Sequence, residues 1–192
     1  MTNTSSLIFS LVTGNLVQLS LLLWAAAANI RSRRTQRAYH GSWKCRIDWH
    51  LDWAQNHLFG QPVSEPHSTG TVRLLVGSMI RSHPQLGGYG VFKLRDGADV
   101  YANIAVEIEE VLLVPQSGLL ARLLREKELR EFRLRSRVRQ TVKDFNYGRF
   151  VNYYVVLTSS APHQLVGTVV VRRPGEAEQD KEVARFTASP MR

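Results

Sequence analysis

No charged side chain occurs before residue 31, and four arginines, Arg31, Arg33, Arg34 and Arg37, then arrive within seven positions. A helix rises ~1.5 Å per residue, so Leu7 to Ala28 would span ~33 Å, about the hydrocarbon thickness of a bilayer. Thr13, Gly14 and the run Ala25 to Ala28 are small, which suits close helix–helix approach in lipid. Asn15 and Gln18 share one helix face and are costly against lipid, so they are expected to contact another copy of the same helix or another subunit. Trp24 stands near the basic end, where an interfacial aromatic is expected. The positive-inside rule then places everything after Arg31 in the cytoplasm. A single-pass anchor in the inner (cell) membrane is the expectation. Two other readings stay open. Ala25 to Ala28 can serve as a signal-peptide cleavage site, although the positive n-region is missing. A buried helix of a soluble protein seldom runs this long without a charge.

The chain thus divides into an anchor over 1–30, a basic juxtamembrane linker over 31–40 and a cytoplasmic β-rich domain over 41–192. The net charge of +9 belongs wholly to the part after Ile30. Such a domain, held at an anionic leaflet, gains affinity for lipid headgroups, nucleotides or nucleic acid. The same excess also serves solubility and topology. The single Cys45 excludes an intrachain disulfide and any multi-cysteine metal cluster.

Strand periodicity dominates the chain beyond residue 40. Trp43, Cys45, Ile47, Trp49, Leu51 and Trp53 alternate with polar residues, which predicts a strand with one bulky apolar face. That face is either core or the aromatic wall of a ligand cavity. Gln55 to Gly70 reads as a long connection, Thr71 to Ile80 as a second strand, and Ser82 to Gly90 as a turn, with a short third strand over Tyr89 to Leu94. Asp96-Gly97 signals a hairpin. Val100 to Ile108 alternate as a fourth strand, and the phase shift at Glu110 predicts a bulge or bend. Ser117 to about Arg130 is expected to form a short amphipathic helix. The alternation then returns from Phe132 to Val142. Tyr147 to Thr158, Leu165 to Arg172 and Glu182 to Thr187 complete eight strands. With no strand–helix alternation, the predicted fold is mainly β: an N-terminal transmembrane helix, then an antiparallel eight-stranded barrel or sandwich with one short helix.

Motifs for enzymatic chemistry are thin. No zinc-binding His-Glu-x-x-His, nucleophile elbow or phosphate loop occurs, so no catalytic residue, cofactor or resident metal is expected. His50 and His57 flank Asp52, a set able in principle to hold a metal or exchange a proton, though such spacing arises often by chance. The most informative polar feature is an arginine ladder. Arg133, Arg135, Arg137 and Arg139 share one strand face at ~6.6 Å intervals. Guanidinium forks match phosphate oxygens, and four on one face are hard to neutralise internally. Glu107 and Glu109 can pair with two of them if the strands are neighbours. Apolar Phe132, Leu134, Val138 and Val142 argue that the ladder points outward, toward membrane phosphates, nucleic acid or a protein partner. A ligand in the lumen would instead need inward groups such as Ser136, Gln140, Asn152 or Tyr154, or arginines at the barrel mouth.

An anchor followed by a β-rich domain that opens with Gly41-Ser42-Trp43 and closes with Leu165 to Val171 resembles the membrane-anchored β-barrel effectors of bacterial antiphage (CBASS-type) signalling. The resemblance implies a non-enzymatic barrel that binds a cyclic oligonucleotide and oligomerises in the membrane. The chain departs from that group by showing one hydrophobic span instead of two. It also inserts a helix, and no ligand-binding residue carries over. A different reading of the basic face is an accessory subunit of a membrane complex that docks a protein partner.

Overall fold

A computed structural model of the chain describes residues 17–24, 26–27, 38–76, 86–119, 127–143, 152–161, 163–172 and 181–191. Eight strands are β1 (Gly41–Trp49), β2 (Pro66–Val76), β3 (Leu86–Asp96), β4 (Asp99–Pro115), β5 (Lys127–Thr141), β6 (Asn152–Ala161), β7 (Gln164–Arg172) and β8 (Lys181–Pro190). Each pairs antiparallel with the next, and β8 returns to β1, so the sheet is a closed barrel. Closure leaves no sheet edge to solvent, which resolves the choice between barrel and sandwich.

Alternation decides which side chains enter the barrel. Trp43, Cys45 and Ile47 of β1 are buried, while Ser42, Lys44 and Arg46 between them are exposed. Val72, Leu74, Phe92, Val106, Ile108, Phe132, Leu134, Val155, Leu157, Val169, Phe186 and Ala188 continue the same inner layer around the barrel. Eight strands leave a lumen only wide enough for side chains or one small ligand. Here the side chains fill it. A residual cavity of about 10 Å³, lined by residues that include Trp43, Cys45, Phe132, Leu165 and Phe186, has room for no more than about one water molecule. The tryptophan face is therefore core, and Cys45 is a small core residue whose thiol burial pushes up to about 12, against a partly offsetting backbone hydrogen bond from Val72.

The two-residue hairpin at Asp96-Gly97 forms as expected, with Gly97 at φ +54. Several expected boundaries move: β2 already starts at Pro66, inside the connection expected over Gln55 to Gly70. The first strand stops at Trp49, and the chain turns at His50 into a short helix over Leu51–Ala54, continued by a π-helical turn over Gln55–Phe59. Trp53 thus leaves the strand. It stacks on His57 at 3.8 Å, while Ala54 and Phe59 pack with Leu94, Tyr101 and Ala102 to cover one end of the barrel. The glycine run at Gly87, Gly88 and Gly90 lies inside β3 and is not a turn. A Cβ at Gly90 would meet the Thr71 carbonyl oxygen and stand 2.8 Å from the Val72 Cα, and one at Gly70 would stand 2.8 Å from the Phe92 Cα. These glycines let β2 and β3 approach closely where the barrel wall bends.

The helix expected over Ser117 to Arg130 is not formed at its far end. Lys127 to Arg130 belong to β5, and residues 120–126 lie outside the described ones. The predicted irregularity at Glu110 is present. Register shifts between Glu109 and Leu112, and Glu110 itself sits at φ 49. Of the expected anchor, residues 1–16, 25 and 28–37, with Asn15, Arg31, Arg33, Arg34 and Arg37, lie outside the described residues. Residues 17–24 are helical, with Leu19, Leu21, Leu22, Leu23 and Trp24 exposed. No helix among the described residues is long and apolar enough to cross a membrane.

Candidate anion-binding face

The four ladder arginines stand on the outside of the barrel, because Phe132 and Leu134, which alternate with them, are buried in its core. Their surroundings differ along the strand, and β4 explains why. Against the upper half of the ladder, β4 carries Glu107, Glu109 and Glu110. Against the lower half it carries Ala105 and Asn103.

Arg133 accordingly donates to Glu110 Oε1 at 2.5 Å, and Arg135 donates to Glu109 Oε1 at 3.1 Å. The Tyr154 hydroxyl donates to the second Glu110 oxygen at 3.0 Å. The Arg133 bond first, then the Tyr154 bond, hold the Glu110 carboxyl below the usual glutamate range despite some desolvation. Arg172 reaches over the Tyr154 ring, 4.4 Å from its centroid, to form a two-point ion pair with Glu131. Burial, with the Glu110 bond behind it, raises the Tyr154 phenol above its ordinary value. The expected charge pairing is therefore half realised. Glu109 pairs as anticipated, Glu110 takes the second arginine, and Glu107 makes no ion pair among the described residues.

Arg137 and Arg139 are different. Arg137 lies opposite Ala105, both arginines are exposed, and neither has a carboxylate partner among the described residues. The sheet register brings two further cations onto the same outer surface. Arg73 lies across from Tyr89, and Tyr89 across from Glu107, which faces Arg135. Two outward-facing rows away, Lys93 lies across from Asn103, whose amide donates to Gln140 at 3.1 Å. Tyr89 is 53% exposed and Val91 37% exposed between these charges. The Arg137 and Arg139 pair offers guanidinium donors on the outer face of β5. It can bind phosphate or carboxylate oxygens by charge-assisted hydrogen bonds. Arg73 and Lys93, on β2 and β3, lie three and two strands from β5, so the curvature of an eight-stranded barrel turns them away from Arg137 and Arg139.

His50, Asp52 and His57 do not converge. His50 pairs with Glu182 at 3.5 Å, and the His57 ring lies on Trp53. No group of three His, Cys, Asp or Glu residues that could hold a metal occurs among the described residues. No family model matches the chain, and no curated protein matches it.

Proposed function

We propose that the chain is a membrane-anchored, non-enzymatic β-barrel that binds an anionic ligand on its outer face. Arg137 and Arg139 make the contact. The observation that carries this reading is the charge asymmetry of the ladder: two arginines neutralised by Glu110 and Glu109, two left exposed beside Ala105 and Asn103. Surplus guanidinium groups on a rigid sheet are a preorganised phosphate site. An inner-lumen ligand is disfavoured, because the barrel is filled by apolar side chains that offer a phosphate nothing. The charge-free N-terminal stretch, with its exposed helical leucines at 17–24, supports attachment to lipid through the anchor, where copies would associate through Asn15 and Gln18. A cyclic oligonucleotide and an antiphage effector role follow from the family resemblance and rest on it alone. Calorimetric titration of the detergent-solubilised full chain with cyclic di- and trinucleotides tests the reading. Saturable binding is expected, and an absence of heat with every anion tried contradicts it.

A second reading has its own observation. Tyr89, Val91 and Leu75 are exposed beside Arg73, and tyrosine with arginine is the composition of protein interfaces. The barrel would then be an accessory subunit docking an acidic partner. Stoichiometric co-purification of another subunit from native membranes separates this reading from self-oligomers alone.

A further inference from the structure

The barrel wall is not equally knit around its circumference. Between β5 and β6 the described ladder runs only from Glu131↔Val156 to Leu134↔Tyr153. The pairing of β1 with β2, by contrast, runs from Gly41↔Leu74 to Asp48↔His67. Beyond Glu131, β5 continues back to Lys127 and β6 runs on to Ala161, yet the two no longer pair. Among the described residues, one side chain from elsewhere in the chain occupies that gap. Tyr39, only 3% exposed, accepts a hydrogen bond from the Leu129 N–H at 3.1 Å and donates to the Ser160 carbonyl oxygen at 3.2 Å. Its hydroxyl does what a direct strand–strand bond does elsewhere in the wall. Tyr39 is itself held in place, because its carbonyl accepts from the Trp43 indole at 2.9 Å and Ala38 packs against the core. On the outside of the same seam, the Glu131–Arg172 pair, lying over Tyr154, adds a second clamp.

We infer that the β5–β6 seam is where this barrel opens, and that Tyr39 is the latch that bridges it. Tyr39 is separated from β1 by His40 alone and comes directly after the basic stretch at 31–37. Opening at the seam uncovers Phe132, Leu134, Val155 and Leu157, the apolar residues behind it.

Cys45 is the internal probe, being the chain's single cysteine and buried in the lumen. Thiol labelling of the full chain under native conditions reads transient opening, and hydrogen exchange reads where the opening occurs. Tyr39→Phe keeps the ring and removes only the bridge. It should accelerate Cys45 labelling roughly ten- to a hundredfold, the loss of the two hydrogen bonds of the bridge, and raise exchange in 127–130 and 157–161 while β1 and β2 stay protected. Ser68→Ala, which removes the 2.9 Å bond from the Trp49 indole at the β1–β2 wall, is the matched control and should leave the seam segments unchanged. Equal acceleration by both variants, or none from Tyr39→Phe, overturns the latch. So does a wild-type chain whose 127–130 and 157–161 amides exchange as slowly as those of β1 and β2, whatever the variants do.

Discussion

Replacing Phe132 with alanine decides whether the lumen is a packed core or a ligand chamber. Phe132 is 2% exposed, points inward from β5, and meets Phe186 of β8 edge-on at 5.8 Å and 79°. It also borders the residual cavity, which is only about 10 Å³, so neighbouring side chains have little slack with which to fill a larger hole. Truncation of a phenylalanine in such a setting costs about 3–5 kcal/mol, of which the edge-on aromatic pair contributes about 0.5–1.5. With a urea dependence of about 2 kcal/mol per molar, the unfolding midpoint should fall by about 2 M at unchanged slope. Tryptophan fluorescence of the full chain follows the transition directly, since Trp43 and Trp53 are buried. A loss below about 1 kcal/mol would refute the reasoning, because only a lumen already hydrated or open tolerates that truncation so cheaply.

Three further outcomes are expected. Gly90→Ala places a methyl group against the Thr71 carbonyl and the Val72 Cα, so thermal unfolding should show a loss of about 1–3 kcal/mol; an unchanged midpoint removes the close-approach account of β2 and β3. Asp96 is desolvated, yet the N–H groups of Glu65 and Ser64, the Ser64 hydroxyl and the nearby His67 together hold its carboxyl below the usual range. A depressed native pKa stabilises the fold above the unfolded value near 4, and that stability is lost as pH falls through the native value, so Asp96→Asn should flatten the acid limb of stability against pH and an unaltered limb contradicts the assignment. The full chain should remain with membranes after alkaline carbonate washing, whereas release into the supernatant removes the anchor.

How much of the fold is legible along the chain depends on which interactions are local. The alternation from Trp43 to Ile47 and from Phe132 to Leu134 reports inside and outside directly, so strand number and the antiparallel β class are legible, while the choice of barrel over sandwich rests on the β8–β1 pairing, which no local pattern reports. Asp96-Gly97 is legible because a tight turn needs a left-handed residue within two positions. The phase slip at Glu110 appears as two neighbouring apolar positions falling out of step. The end of β1 is not legible. Trp53 keeps the period of two from Trp49, but it also stands four residues before His57, and the helical pairing wins because it covers the barrel end. The glycines at 87, 88 and 90 carry a turn signature in sequence, and only the close approach of β2 explains them as strand residues. That Arg133 and Arg135 are neutralised while Arg137 is not depends on which β4 side chains stand opposite β5, and nothing along β5 itself reports it. Tyr39 gives no signal at all, since a lone tyrosine after a run of arginines acquires its role from strands 90 and 121 residues away.

The central claim is that the anion site lies on the outer wall and depends on the two unneutralised arginines. Titration of the full-length wild type and of Arg137→Ala/Arg139→Ala with the same cyclic trinucleotide tests it most directly. Both side chains project into solvent, so the fold and its unfolding midpoint should be unchanged while affinity falls at least about tenfold, the loss of two charge-assisted contacts. Undiminished affinity in the double variant, with binding in the wild type, would contradict the account and send the search back to another part of the barrel.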